Sequence, residues 1–162
     1  GFTMATWQHR PESSGYVRAR SQDPFEHPEI QPNYLAADTD QQVILAAIKT
    51  CRKLAETEAL RPFIVNETFP GAACQNDDEL LNSAREIGQS IYHLMGTCRM
   101  GNRDDKTAVV DAELRVHGIK NLRVIDASIM PTMVSANLNA AVMMIAEKGA
   151  DMVLGKLSAK LH

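Results

Sequence analysis

The chain has 162 residues, 44% of them hydrophobic and 23% charged, with a formal net charge of −3. This is enough for one compact domain with a core. The mild negative charge leaves no electrostatic footprint for nucleic acid or an anionic membrane, and no apolar run approaches the length of a membrane span.

The first residues, 1–7, carry neither a basic lead nor the apolar centre of a signal peptide. They read as a strand already under way, so the chain is expected to be a piece of a longer protein. Phe2 and Met4 alternate against Thr3 and Ala5, which predicts a strand over 2–8. Pro11, Ser13, Ser14 and Gly15 mark a turn, and 16–21 alternates again, with Val17 and Ala19 opposite Arg18 and Arg20. Together they predict a hairpin. Asp23-Pro24 and His27-Pro28 make the next segment a loop, with His27 on the surface. Residues 30–35, which include Pro32, are expected as an edge strand or extended segment.

A helix is predicted over 38–58. Asp38, Thr39 and Asp40 are cap candidates, and Ile44, Ala47, Ile48, Cys51, Leu54 and Ala55 share one face. Residues 63–70 are expected to be extended and 71–73 a loop. Asn76-Asp77-Asp78-Glu79 reads as a capped start for a second helix carrying Leu80, Leu81, Ala84 and Ile87, with Gly88 at a left-handed end.

From Ile91 the pattern is less regular. Gly96, Gly101 and 102–106 are turns, Val109-Val110 and 114–117 short strands, 118–121 a tight turn, and 122–126 a strand. Leu138, Val142, Ile145, Ala146, Gly149 and Val153 form the face of a third helix that starts at Asn137 or Asn139. Residues 156–162 read as a frayed tail. Cys51, Cys74 and Cys98 are odd in number and lack CxxC spacing. Disulfide frameworks and metal sites are therefore not expected, and a reducing compartment, the cytoplasm, is.

Two groups of residues carry possible chemistry. His93 is either a hydrogen-bonded boundary residue or a general base, since imidazole titrates near neutral pH. The strand 122–126 ends at Asp126 and leads to a helix start, where free N–H groups favour a partly negative ligand atom. The plain alternative is that one of Asn137 and Asn139 is an N-cap, which explains one asparagine well and the second less well, since they lie two apart. His93 and Asn137 lie 44 positions apart, and spacing alone does not bring them together. A small hydrolase built on His93 with Asp126 or a serine is disfavoured, because no nucleophile elbow surrounds Ser90, Ser128 or Ser135.

Several motifs run through the chain in order. They are Tyr92-His93-x-x-Gly96-Thr97-Cys98-Arg99-Met100-Gly101, Val109-Val110-Asp111, Leu114-Arg115-Val116-His117-Gly118 and Leu122-Arg123-Val124-x-Asp126-Ala127-Ser128-x-Met130-Pro131. Asn137-x-Asn139 and 144–152 follow. Arg10-Pro11-Glu12-Ser13-x-Gly15, Asp23-Pro24 and Pro32-Asn33-Tyr34-Leu35 precede them. This series resembles the C-terminal part of the glucose–methanol–choline (GMC) oxidoreductases, flavoenzymes that oxidise alcohols, with the choline dehydrogenase-like branch nearest.

The resemblance implies an α+β fold: an antiparallel sheet with flanking helices, and a C-terminal strand–helix that belongs to the FAD domain. It divides the chain into a substrate-binding part, 1–118, a strand–loop–helix completing the flavin site, 119–155, and the tail. His93 matches the base that takes the hydroxyl proton as hydride leaves for flavin N5. Asn137 matches the second catalytic position, which hydrogen-bonds the substrate oxygen. Asp126, Ala127, Asn137, Leu138 and Asn139 match contacts to FAD.

Leu94 stands where the family usually has proline, and Ser13-Ser14 where it often has arginine. The chain has no Gly-x-Gly, the turn that binds the ADP part of a dinucleotide. It is therefore expected to be inactive alone and not to retain FAD, with a small alcohol and the missing FAD-binding half as partners. Self-association through an orphaned strand and helix is the alternative: a non-catalytic structural or interaction module.

Overall fold

The computed structural model describes residues 1–156; the expected tail lies, from 157 onward, outside them. Among the described residues are a two-stranded antiparallel sheet and three α-helices. The chain divides into two compact units, Gly1–Ser90 and a second that begins at Ile91. The functional division expected at 118 falls inside the second unit.

In the first unit, β1 (Tyr16–Arg18) pairs with β2 (Glu29–Gln31), Val17 opposite Ile30. The expected hairpin between 2–8 and 16–21 does not form, and 2–8 has no regular structure. The reason lies in residues 21–26. The Asp23 carboxylate accepts the Phe25 N–H at 2.9 Å, and the Asp23 carbonyl accepts the Glu26 N–H at 3.2 Å. This turn sends the chain back so that β1 meets β2, and the Tyr16 hydroxyl donates to Glu29 across the pair at 2.8 Å. His27 is exposed, as expected.

Helix α1 runs Asp38–Ala55, three residues shorter than expected at its C-terminal end. Its N-cap is Ala37, with no side-chain cap. Asp40 is instead buried, 2% exposed, and takes the N–H groups of Glu12 at 3.0 Å and Ser13 at 2.8 Å. It ties the turn before β1 to the helix.

Helix α2, Asp77–Ile87, has the expected capping box between Asn76 and Glu79. Gly88 is not left-handed: its φ is −61°. A Cβ there would overlap the Ala84 carbonyl oxygen, so glycine serves close approach and not a positive φ. Between the helices, 63–70 is only briefly extended. A 3-10 turn at Arg61–Phe63 and further turns replace the rest. Arg52 holds this region by a bidentate pair with Glu67, at 3.0 and 2.9 Å, and by donating to the Gly71 carbonyl at 3.2 Å.

In the second unit the expected short strands contract to isolated bridges, Met100 with Val110, Val110 with Val116, and Arg115 with Arg123. The strand expected over 122–126 is reduced to the last of these. Each segment finds a neighbour over one residue only, and a ladder needs several. The turn expected at 118–121 is present, with the Val116 N–H donating to the Leu122 carbonyl at 3.0 Å.

Val110, Leu114, Ile129, Met130, Leu138 and Ile145 form the buried core. Helix α3, Asn139–Val153, lies along it. Its Gly149 sits so close to Ile125 that a Cβ would overlap that side chain.

Candidate functional site

His93 lies in the irregular run that opens the second unit. Three residues on, a short backbone ladder begins. The N–H groups of Gly96, Cys98 and Met100 donate to the carbonyls of Ala127, Ser128 and Ile129 at 3.4, 2.9 and 2.7 Å. Met95 packs on the core. The His93 segment is thereby fixed to the stretch that carries Asp126 and Ala127. His93 is half-buried and its ring has no hydrogen-bond partner among the described residues.

Asp126 is the N-cap of a 3-10 turn, Ala127–Ile129; one carboxylate oxygen accepts the Ser128 N–H at 2.8 Å. Its side chain is otherwise exposed, leaving acceptor capacity for a hydroxyl donor. The Ala127 carbonyl is already used, by Gly96 and by Met130 at 3.2 Å.

Seven residues beyond Met130 the chain reaches Asn137. Its amide is exposed, and no hydrogen bond joins it to His93. Leu138 is the N-cap of α3, with no side-chain cap. The helix thus starts at Asn139, one of the two expected positions, but neither asparagine is its cap. The Leu138 side chain is core, so only its backbone is available to a ligand. Asn139 is the first helical residue, and its amide makes a long contact to the Met143 sulfur at 3.9 Å.

The three helix starts differ electrostatically. α1 and α2 have acidic first turns, and α2 also has its capping box. α3 has no side-chain cap and no acidic residue in its first turn. Its first intrahelical bond is from Val142 to Leu138 at 2.9 Å, so the N–H groups of 139–141 have no helical acceptor. They form a donor set of positive sign beside Asn137.

Two features were not visible in the sequence. Tyr92, beside His93, has φ of +61°. The Arg99 Nε is buried without a partner, while its guanidinium reaches Asp105 at 3.5 Å. Backbone hand and atom-level burial leave no periodic trace that could have revealed them.

The family profile described as GMC oxidoreductase matches residues 11–146. The mitochondrial choline dehydrogenase of Homo sapiens is 48% identical over 147 residues, covering 91% of this chain and 25% of that protein. An oxygen-dependent choline dehydrogenase of Escherichia coli O127:H6 is 44% identical over 156 residues, 96% of this chain and 28% of that protein. The chain thus spans about a quarter of the length of these relatives. Among solved structures, pyridoxine 4-oxidase from Mesorbium loti superposes with a TM-score of 0.78 at 33% identity, over 92% of this chain and 29% of that one. An FAD-dependent oxidoreductase from Chaetomium thermophilum gives 0.78 at 29% identity, over 87% and 24%. Among the described residues no helix is long and apolar enough to cross a membrane.

Proposed function

The chain belongs to the GMC oxidoreductase family, and we propose that it is the C-terminal catalytic portion of an FAD-dependent alcohol dehydrogenase or oxidase of choline dehydrogenase-like type. The observation that carries this reading is the uncapped, acid-free start of α3, in the same unit as a half-buried His93 without a hydrogen-bond partner. That donor set suits the edge of a flavin. Asp126, Ala127, Asn137, Leu138 and Asn139 would hold FAD there, Leu138 through its backbone. When bound, FAD supplies the hydride acceptor, at N5.

His93 accepts the proton of the substrate hydroxyl as the carbinol carbon gives up hydride, so an alcohol leaves as a carbonyl compound. Asn137 is neutral and donates an amide hydrogen to the substrate oxygen, which orients it without a competing charge. The N–H groups of 139–141 stabilise negative charge as it develops beside them. Residues 1–118 contribute to the substrate-binding part, and 119–155 complete the flavin site. With no Gly-x-Gly in the sequence, the isolated chain is expected to hold no FAD and to be inactive by itself. Its partners are a small alcohol and an FAD-binding half. The three free thiols fit a reducing compartment, the cytoplasm; one relative is named as mitochondrial.

In the flavin-loaded enzyme, His93→Ala should lower kcat by about 10²–10⁴-fold, the usual range for a general base, with flavin content unchanged. Loss of flavin with no selective loss of turnover would make His93 structural.

A second reading is favoured by the apolar side chains exposed on the second unit, Ile91, Leu94, Met143, Met144, Val153 and Leu154. In the first reading the FAD-binding half covers them; in the second, another copy does, in a non-catalytic module. A stable dimer of the isolated chain in sedimentation would favour the second.

A further inference from the structure

Five described residues other than glycine have left-handed backbone: Asn33, Leu35, Tyr92, Leu114 and Asn121. Asparagine tolerates this conformation through local hydrogen bonding, which accounts for two. Leu114 is only 3% exposed, and its N–H donates to the Asp111 carbonyl at 3.0 Å. The Asp111 carboxylate also takes the N–H groups of Glu113 and Arg115. Leu35 is held by a turn from Ala36 to Asn33 and by the Gln41 amide on its carbonyl at 2.9 Å. Tyr92 is 85% exposed, so burial of its own ring does not hold the left-handed backbone, and the next residue is His93.

Strained non-glycine backbone persists where its surroundings impose it, and it clusters at functional sites. Here the consequence is local. On its C-terminal side His93 is fixed by Met95 in the core and by the ladder from Gly96. On its N-terminal side the peptide takes its direction from the left-handed turn at Tyr92. His93 and Met95 are half-buried while Tyr92 and Leu94 are exposed, the alternation of an extended run entered through that turn.

We propose that the left-handed backbone at Tyr92 is a positioning device that sets the direction of the His93 imidazole; this rests on the reading of His93 as the base. The test compares kcat, KM, flavin content and the pH profile of kcat/KM for four variants of the flavin-loaded enzyme. Tyr92→Phe keeps the ring. Tyr92→Asn removes it but tolerates left-handed backbone. Tyr92→Ile is β-branched and tolerates it least. Tyr92→Ala falls between the last two.

Tyr92→Ile should lower kcat by about 10–100-fold, as a small misplacement of a reacting group does. Its KM should be nearly unchanged, its flavin retained and the acid limb of its pH profile displaced. Tyr92→Phe and Tyr92→Asn should stay close to the parent. If Tyr92→Ile does not fold, a lower kcat for Tyr92→Ala than for Tyr92→Asn supports the proposal, and equal values overturn it. Equal losses in Tyr92→Asn and Tyr92→Ile would assign the effect to the ring and overturn it, as would four variants that all match the parent. His93→Ala is assayed beside them. If it is inactive while Tyr92→Asn and Tyr92→Ile agree, positioning alone fails; if it retains turnover, the proton-acceptor reading fails and takes this proposal with it.

Discussion

In the first unit polar restraints join distant segments. Asp40 holds the N–H groups of Glu12 and Ser13, and Arg52 grips Glu67 and the Gly71 carbonyl. Its buried large apolar side chains are Leu80 and Leu81, among the described residues. In the second unit the restraints are an apolar core around Val110, which is 0% exposed, and backbone bonds between irregular segments. On α1, Val43, Ile44, Leu45, Ala47 and Ile48 are half-buried. The proposed chemistry stands on the unit with the larger fully buried core, which suits a site whose residues come from separate stretches and must be held in place.

The comparison breaks most sharply in the second core. Ile145→Ala should cost about 2–5 kcal/mol, the range for deleting a buried aliphatic side chain, measured by denaturant unfolding of the chain. A change below about 0.5 kcal/mol, typical of a surface position, would mean that α3 does not depend on that core.

Next comes Asp40→Asn, which should cost about 1.5–3 kcal/mol at neutral pH, as loss of hydrogen bonds to a charged group does. Burial raises the Asp40 carboxyl, but hydrogen bonds from Ser13, the Glu12 N–H and Gln8 outweigh it and hold it below its ordinary value. A folded value below the unfolded one gives stability that is present above the unfolded value, about 3.9, and lost as pH falls through the folded one. The gap between parent and Asp40→Asn should therefore narrow as pH drops below 4. A gap independent of pH would remove the carboxylate's charge from the account.

The smallest effect is Asn76→Ala, about 1 kcal/mol from loss of the α2 cap, read in the same unfolding experiment. No change would mean that Glu79 alone suffices at that end.

What the sequence revealed divides between local and non-local signals, in both units. α1, α2 and α3 were legible because helix periodicity and the Asn76–Glu79 box are local signals. The pairing of β1 with β2 was not, because a turn at Asp23 decides it and the alternation of 2–8 suggested another partner. The segments 109–110, 114–117 and 122–126 read as strands but found single bridges, since a strand depends on neighbours that propensity does not supply. For the site, local reading left His93 open and offered an asparagine as the cap of α3, where Leu138 stands. The pairing of His93 with Asn137 came from the family motif. The left-handed backbone at Tyr92 came from the fold alone.

The central claim is that His93 takes the substrate proton, and the rate of flavin reduction by alcohol without oxygen, followed against pH, tests it most directly. In the parent enzyme the rate should fall on the acid side through a single ionisation, as a base that must be unprotonated requires; in His93→Ala the residual rate should lose that limb. An acid limb that persists unchanged in His93→Ala would contradict the claim.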